Sequence, residues 1–214
     1  MQYIIMCGGN YKGWNNPRQL TPINGEPIVA RTIRLLRECG VNDIAISSNN
    51  TEFNKFGVPL LQHDNQWEVF AYNDSIGTWV NGFYPTDYPV CYIFGDVVFS
   101  RGAIRIIVDK ETDDIEFFAS SPPFSKDYHK KYAEPFAFKV VDINHFWNCI
   151  EIFKEYKNLG KFDRDPMSWE LWQIIKNTPI NVINYYNYTA INDYTCDIDL
   201  ANDVKIFEGL NLEE

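Results

Sequence analysis

MCGGNYKGWNNPRQLTPINGEPI, residues 6–28, follows directly on the short apolar run Tyr3-Ile4-Ile5-Met6, and this junction decides the fold. The run is partly β-branched and bounded by glycine, as a buried strand should be. Gly8 and Gly9 allow a sharp turn with backbone N–H groups facing inward, and Asn10 tolerates the left-handed region better than most residues. Lys12 and Arg18 then add two cations to a loop already rich in amide donors, which is the donor set a polyanion needs.

Working outward, Pro27 suits a first helical turn, Gly40 suits a helix end, and Val29, Ile33 and Leu36 recur between them at helical spacing. Arg31, Arg34 and Arg37 lie off that stripe and are expected to be solvated. A second strand at Asp43 to Ser48 completes a β-loop-α-β unit, for which parallel pairing and a right-handed crossover are expected. The alternation continues with strands at Val58 to Gln62, Val90 to Phe94, Ile115 to Ser120, Pro135 to Val141 and Val182 to Tyr186. Helices are expected over Trp67 to Gly82, Gly102 to Lys110, Asn144 to Lys157, Met167 to Lys176 and from Leu200. The fold class is α/β, a Rossmann-like open sheet, mixed but mostly parallel, with helices on both faces. One domain over residues 1–214 is expected, with residues 121–134, rich in proline, aromatics and lysine, as an insertion or substrate loop.

The opening segment resembles that of nucleotidyltransferases of the sugar-nucleotide pyrophosphorylase and small-molecule cytidylyltransferase type. Their signature runs L-A-[AG]-G-x-G-x-R, a variable gap, P-K-x-L, then G-x-P. Cys7-Gly8-Gly9, Pro17-Arg18-Gln19-Leu20 and Gly25-Glu26-Pro27 match its three pieces in order. The second glycine falls on Asn10, the arginine on Lys12, and the lysine after proline on Arg18; a guanidinium keeps the charge but grips phosphate as a fork rather than a point. The resemblance implies Lys12 and Arg18 as catalytic cations, with Cys7, Gly8, Gly9 and Asn10 around the nucleotide.

Two acidic elements bear on chemistry. The apolar strand Val90 to Phe94 ends in Gly95-Asp96, which places a carboxylate at the carboxyl edge of the sheet, where open α/β proteins bind ligands. Asp197-Ile198-Asp199 precedes the last helix. By resemblance Asp96, Asp197 and Asp199 hold Mg2+, a hard cation suited to carboxylate and phosphate oxygens. The plainer alternatives are a turn cap at Asp96 and a helix N-cap at Asp199. Asn73 and Ser75, in Tyr72-Asn73-Asp74-Ser75-Ile76, resemble a base- and ribose-reading segment, with Gln62 adding an amide, or else they cap a helix. Lys126, Lys130 and Lys131, set among Phe124, Tyr128 and Tyr132, are candidates for binding a phosphorylated acceptor or are simply solvated.

The activity this implies is Mg-dependent transfer of a nucleoside monophosphate, CMP from CTP for preference, to a phosphorylated small molecule, with release of pyrophosphate. Alternatives are a sugar-1-phosphate nucleotidylyltransferase using UTP, GTP or dTTP, and a nucleotide-binding regulator without turnover. In that group the product commonly serves surface polysaccharide biosynthesis. The formal charge of −10 argues against nucleic-acid and anionic-membrane partners. Without a basic leader or a long apolar run, a cytoplasmic protein is expected, monomeric or a small homo-oligomer. Cys7, Cys39, Cys91, Cys149 and Cys196 have no metal-binding spacing and read as buried thiols.

Overall fold

The computed structural model describes residues 1–8, 14–63, 79–120 and 133–212. Among these residues, eleven strands and four α-helices follow one another as β1 Gln2–Met6, β2 Pro22–Ile23, β3 Glu26–Pro27, α1 Ile28–Glu38, β4 Ile44–Ser47, β5 Leu60–Leu61, β6 Val90–Phe94, β7 Val97–Val98, α2 Arg101–Asp109, β8 Ile115–Ser120, β9 Glu134–Val140, α3 Ile143–Asn158, α4 Ser168–Ile175, β10 Thr189–Ala190 and β11 Cys196–Asp197. The main sheet has seven strands in the order β10-β8-β9-β6-β1-β4-β5. β1 lies between β4 and β6 and is parallel to both, so the first crossover is as expected. β9 pairs antiparallel with β6 and with β8, while β10 is again parallel to β8. The sheet is thus mixed but mostly parallel, the class the alternation of strands and helices predicts.

Its centre is dry. Ile4, Ile5, Val90, Cys91, Tyr92 and Ile93 are fully or almost fully buried, because a strand flanked on both sides and covered by helices has no solvent face. Between α3 and the sheet, Phe83, Tyr92, Phe138 and Phe146 pack mostly edge to face, with Tyr92 and Phe146 stacked.

A second, smaller core contains Ile23, Ile28, Val98, Cys196, Ile198, Phe207 and Leu212. It sits among two antiparallel ribbons, β2–β3 and β7–β11, and a 3-10 helix Ala201–Phe207. The β2–β3 ribbon turns at Asn24 and Gly25, both at positive φ, the Asn-Gly pair that a tight hairpin requires.

Three expectations need correction. Val182 to Tyr186 is not a strand; the side chain of Gln173 in α4 donates to Val182 O and accepts from Asn184 N, so this backbone is satisfied without a ladder, and the edge strand falls later at β10. The C-terminal segment from Leu200 is a 3-10 helix rather than an α-helix, begun by Asp203, whose carboxylate accepts from the N–H groups of Asp199 and Leu200. Arg31 is buried rather than solvated. Its guanidinium donates to Phe99 O at 3.0 Å and to Leu212 O, tying α1 to the chain after β7 and to the C-terminal segment. Of the helix expected over Trp67 to Gly82, only the 3-10 turn Trp79–Gly82 lies within the described residues.

All five cysteines are free thiols, and Cys39 alone of them is only partly buried. Among the described residues, no helix is long and apolar enough to cross a membrane.

Candidate functional site

β1 and β6 run parallel, so their carboxyl ends open on the same edge of the sheet, and there the opening loop and Gly95-Asp96 meet. The approach is close. Gly95 N donates to Met6 O at 3.0 Å, and a Cβ on Gly95 would lie 2.4 Å from Met6 O and 2.7 Å from Cys7 Sγ. Only glycine fits there, and its absent side chain lets the chain leave β6 against the end of β1 and carry Asp96 forward.

Asp199 reaches the same place through the second core. β11 pairs with β7 in the register Asp197 with Val97, and Ile198 N donates to Asp96 O at 3.0 Å. The two acidic elements, far apart in sequence, are therefore zipped side by side by backbone hydrogen bonds.

Arg18 joins them. It lies in the 3-10 turn Arg18–Leu20 and is buried, with one terminal nitrogen 2.6 Å from Asp96 Oδ2 and the other donating to Asp199 Oδ1 at 2.8 Å and Ile198 O at 2.9 Å. Trp14 Nε1 donates to Asp199 O at 3.1 Å, a second tie between the chain leading to Arg18 and the chain after β11. The Asp199 side chain faces Arg18 rather than capping the terminal helix; Leu200 is the N-cap residue. Cys7 is buried beside Asp96, and desolvation together with that neighbouring charge pushes its thiol pKa well up, so Cys7 is a neutral filler.

These groups form one end of a cleft of about 280 Å³. Met6, Gly8, Arg18, Asp96, Asp197 and Asp199 make the end nearest β1, and Trp79, Gly82 and Phe94 supply an apolar side. The rest of the lining comes from Glu134 and Pro135 at the start of β9, from Arg164, Met167, Ser168 and Trp169 around the start of α4, and from Tyr185. Trp169 stands edge-on to Tyr185, with ring centroids 4.9 Å apart. Asp197 also approaches Glu134 and Cys196, with ligand atoms of the three within 4.8 Å of one another.

The oxygen-rich end suits a hard divalent cation: Asp96 and Asp199 converge on one guanidinium, so both carboxylates face a common point, and Asp197 lies in the same cleft. A guanidinium there does the electrostatic work of a cation between the two carboxylates.

Of the residues singled out from sequence, Arg18, Gly8, Asp96, Asp197 and Asp199 come together in the cleft, with Cys7 packed just behind. Gln62 is exposed past β5 and donates to Asn49 O at 3.4 Å, and it does not line the cleft. Gly9, Asn10, Lys12, Asn73, Ser75, Lys126, Lys130 and Lys131 lie outside the described residues. Sequence reasoning missed Trp79, Glu134, Arg164, Ser168, Trp169 and Tyr185. The signal available for some of them was local: Ser168 and Glu170 around the start of an apolar helical run mark a helix start, but not what that start faces.

A model of the MobA-like NTP transferase domain matches residues 3–114. Among solved structures, the inositol-1-phosphate CTP transferase from T. maritima superposes with a TM-score of 0.59 at 12% identity, covering 98% of this chain and 97% of that one. A putative glucose-1-phosphate thymidylyltransferase from Bacillus anthracis gives 0.55 at 12% identity, over 100% and 97% of the two chains. HddC from Yersinia pseudotuberculosis with GMP-PN gives 0.50 at 15%, over 95% and 96%. At such identities the likeness is one of fold. No curated protein matches the chain significantly.

Proposed function

The chain belongs to the MobA-like NTP transferase domain family, and on that premise we propose that it transfers a nucleoside monophosphate, CMP from CTP for preference, to a phosphorylated small molecule and releases pyrophosphate. The observation that carries this reading is the convergence of Asp96 and Asp199 on the Arg18 guanidinium at the carboxyl edge of β1 and β6. Phosphoryl-type transfer asks little covalent help of a protein; it needs positioning and charge. Arg18, held between the two carboxylates, is placed to offset charge that builds on phosphate oxygens during in-line attack by the acceptor phosphate. Asp96 and Asp199, with Asp197 beside them, would hold Mg2+, which when bound neutralises charge on phosphate oxygens. Gly8 and the glycine loop after it supply amide donors, and Lys12 a second cation.

The acceptor belongs beside the β9 and α4 residues of the lining. The segment 121–134, read as a substrate loop, ends at Ala133 and Glu134, which line the cleft. The preference for CTP rests on the resemblance of Asn73 to Ile76 to a base-reading segment.

The test is a pyrophosphate-release screen of the ribonucleoside triphosphates and dTTP against phosphorylated sugars, amino alcohols and amino acids. Release that is fastest with CTP supports the proposal in full; release with UTP, GTP or dTTP instead moves it to a sugar-1-phosphate nucleotidylyltransferase. Triphosphate binding without release in any pairing identifies a nucleotide-binding regulator.

A further inference from the structure

The start of α4 holds polar groups that the site so far described does not use. Ser168 and Trp169 line the cleft and are 1% and 4% exposed, yet Ser168 Oγ and Trp169 Nε1 have no hydrogen-bond partner among the described residues. Leaving a buried hydroxyl and an indole N–H unsatisfied is costly, so such groups call for a ligand. Their own backbone amides are first-turn donors, which helix geometry leaves without intrahelical partners and which carry the positive end of the helix dipole. Arg164 lies beside them in the same wall. Its Nε donates to Glu170 Oε1 at 2.5 Å, while Glu170 Oε2 accepts from Met167 N. Glu170 thereby anchors the arginine through one edge and leaves the terminal nitrogens of the guanidinium, on a side chain 57% exposed, with no partner among the described residues.

We infer that Arg164, Ser168 Oγ, Trp169 Nε1 and the first-turn amides of α4 form an oxyanion site, which receives an anionic oxygen group of the acceptor. Every group in the set can donate a hydrogen bond and one is a cation, the complement of phosphate or carboxylate oxygen. Glu134 and Asp197, in the same cleft, repel an anion and so confine it to the α4 wall. The role as acceptor subsite rests on the proposed transfer reaction; the donor set stands independently of it.

Calorimetric titration of the full chain with inorganic phosphate, and separately with succinate, tests the site and tells phosphate from carboxylate preference. Arg164→Gln should weaken binding of the preferred anion about tenfold to hundredfold, the loss expected for a charge-assisted hydrogen bond. Ser168→Ala should weaken it severalfold while leaving the melting temperature unchanged or higher, because it deletes a hydroxyl with nothing to bond in the free protein. Equal anion affinity in the wild type and both variants would overturn the site, as would a Ser168→Ala variant that melts lower and binds normally. If no pairing of substrates gives transfer but anion binding still depends on Arg164 and Ser168, the transferase reading falls and the oxyanion site stands. If transfer proceeds and Arg164→Gln leaves the acceptor KM unmoved, the site falls and the transferase reading stands.

Discussion

Replacing Arg18 by methionine keeps much of the side chain's volume and removes the cation on which Asp96 and Asp199 converge. Asp96 is 18% exposed and Asp199 41% exposed in their side chains, so the first carboxylate loses a largely buried partner and the second a partly solvated one. Breaking a fully buried ion pair costs about 3–5 kcal/mol, whereas an exposed one is worth about 0–1 kcal/mol. With one bond near each limit, and the Ile198 O bond lost as well, a destabilisation of about 3 kcal/mol is expected in the absence of divalent ions. For a chain of this size that lowers Tm by roughly 6–12 °C. Mg2+ should then restore part of the loss, because the two carboxylates regain a shared cation, and it should raise the Tm of Arg18→Met more than that of the wild type. Thermal melting in EDTA and in Mg2+ measures both quantities without any turnover. A fall in Tm below about 2 °C would refute the coupling of these carboxylates through Arg18, and equal Mg2+ shifts in the two proteins would refute their assignment as metal ligands.

Asp96→Asn preserves shape and removes charge, so pyrophosphate release should fall by at least about a hundredfold while circular dichroism stays close to wild type and Tm falls by a few degrees from the lost Arg18 pair; a near-normal rate in Mg2+ would end the metal role. Gly95→Ala forces a Cβ to within 2.4 Å of Met6 O, and since that neighbour is backbone the variant should lose roughly 2–3 kcal/mol in chemical denaturation, with nucleotide affinity falling alongside. Burial pushes the Cys91 thiol up to about 12 from 9.0. This is an acid whose folded pKa is raised, so above pH 9 the unfolded chain releases a proton that the folded chain keeps, and stability drops as pH rises towards 12. Cys91→Ala should flatten that decline by about 1.4 kcal/mol per pH unit, read from urea midpoints between pH 9 and 11.

The parallel centre of the sheet and the first crossover were legible in the chain itself. Tyr3 to Met6, Asp43 to Ser48 and Val90 to Phe94 are apolar runs punctuated by glycine, and local patterning suffices for buried strands joined by a helix. The placement of Asp96 was legible for the same reason, since a strand end fixes where the next residue projects. The fate of Val182 to Tyr186 was not, because its backbone partner is the Gln173 side chain and no period in the sequence encodes that bond. Arg31 misled for a related reason: an arginine off the apolar stripe is normally solvated, but Phe99 and Leu212, distant in the chain, come round to this one and give it carbonyls to bond.

The sequence by itself determined which residue types carry charge to the carboxyl edge, since glycine, aspartate and arginine recur at spacings tied to strand ends and turns. Only the tertiary structure decided that Arg18 spans Asp96 and Asp199, through the β7–β11 ribbon and the small core beneath it. It alone also brought Glu134, Arg164, Ser168 and Trp169 round to face them. Contacts between residues so far apart in the chain are set by how sheets and ribbons pack, and packing leaves no local period for a single sequence to display.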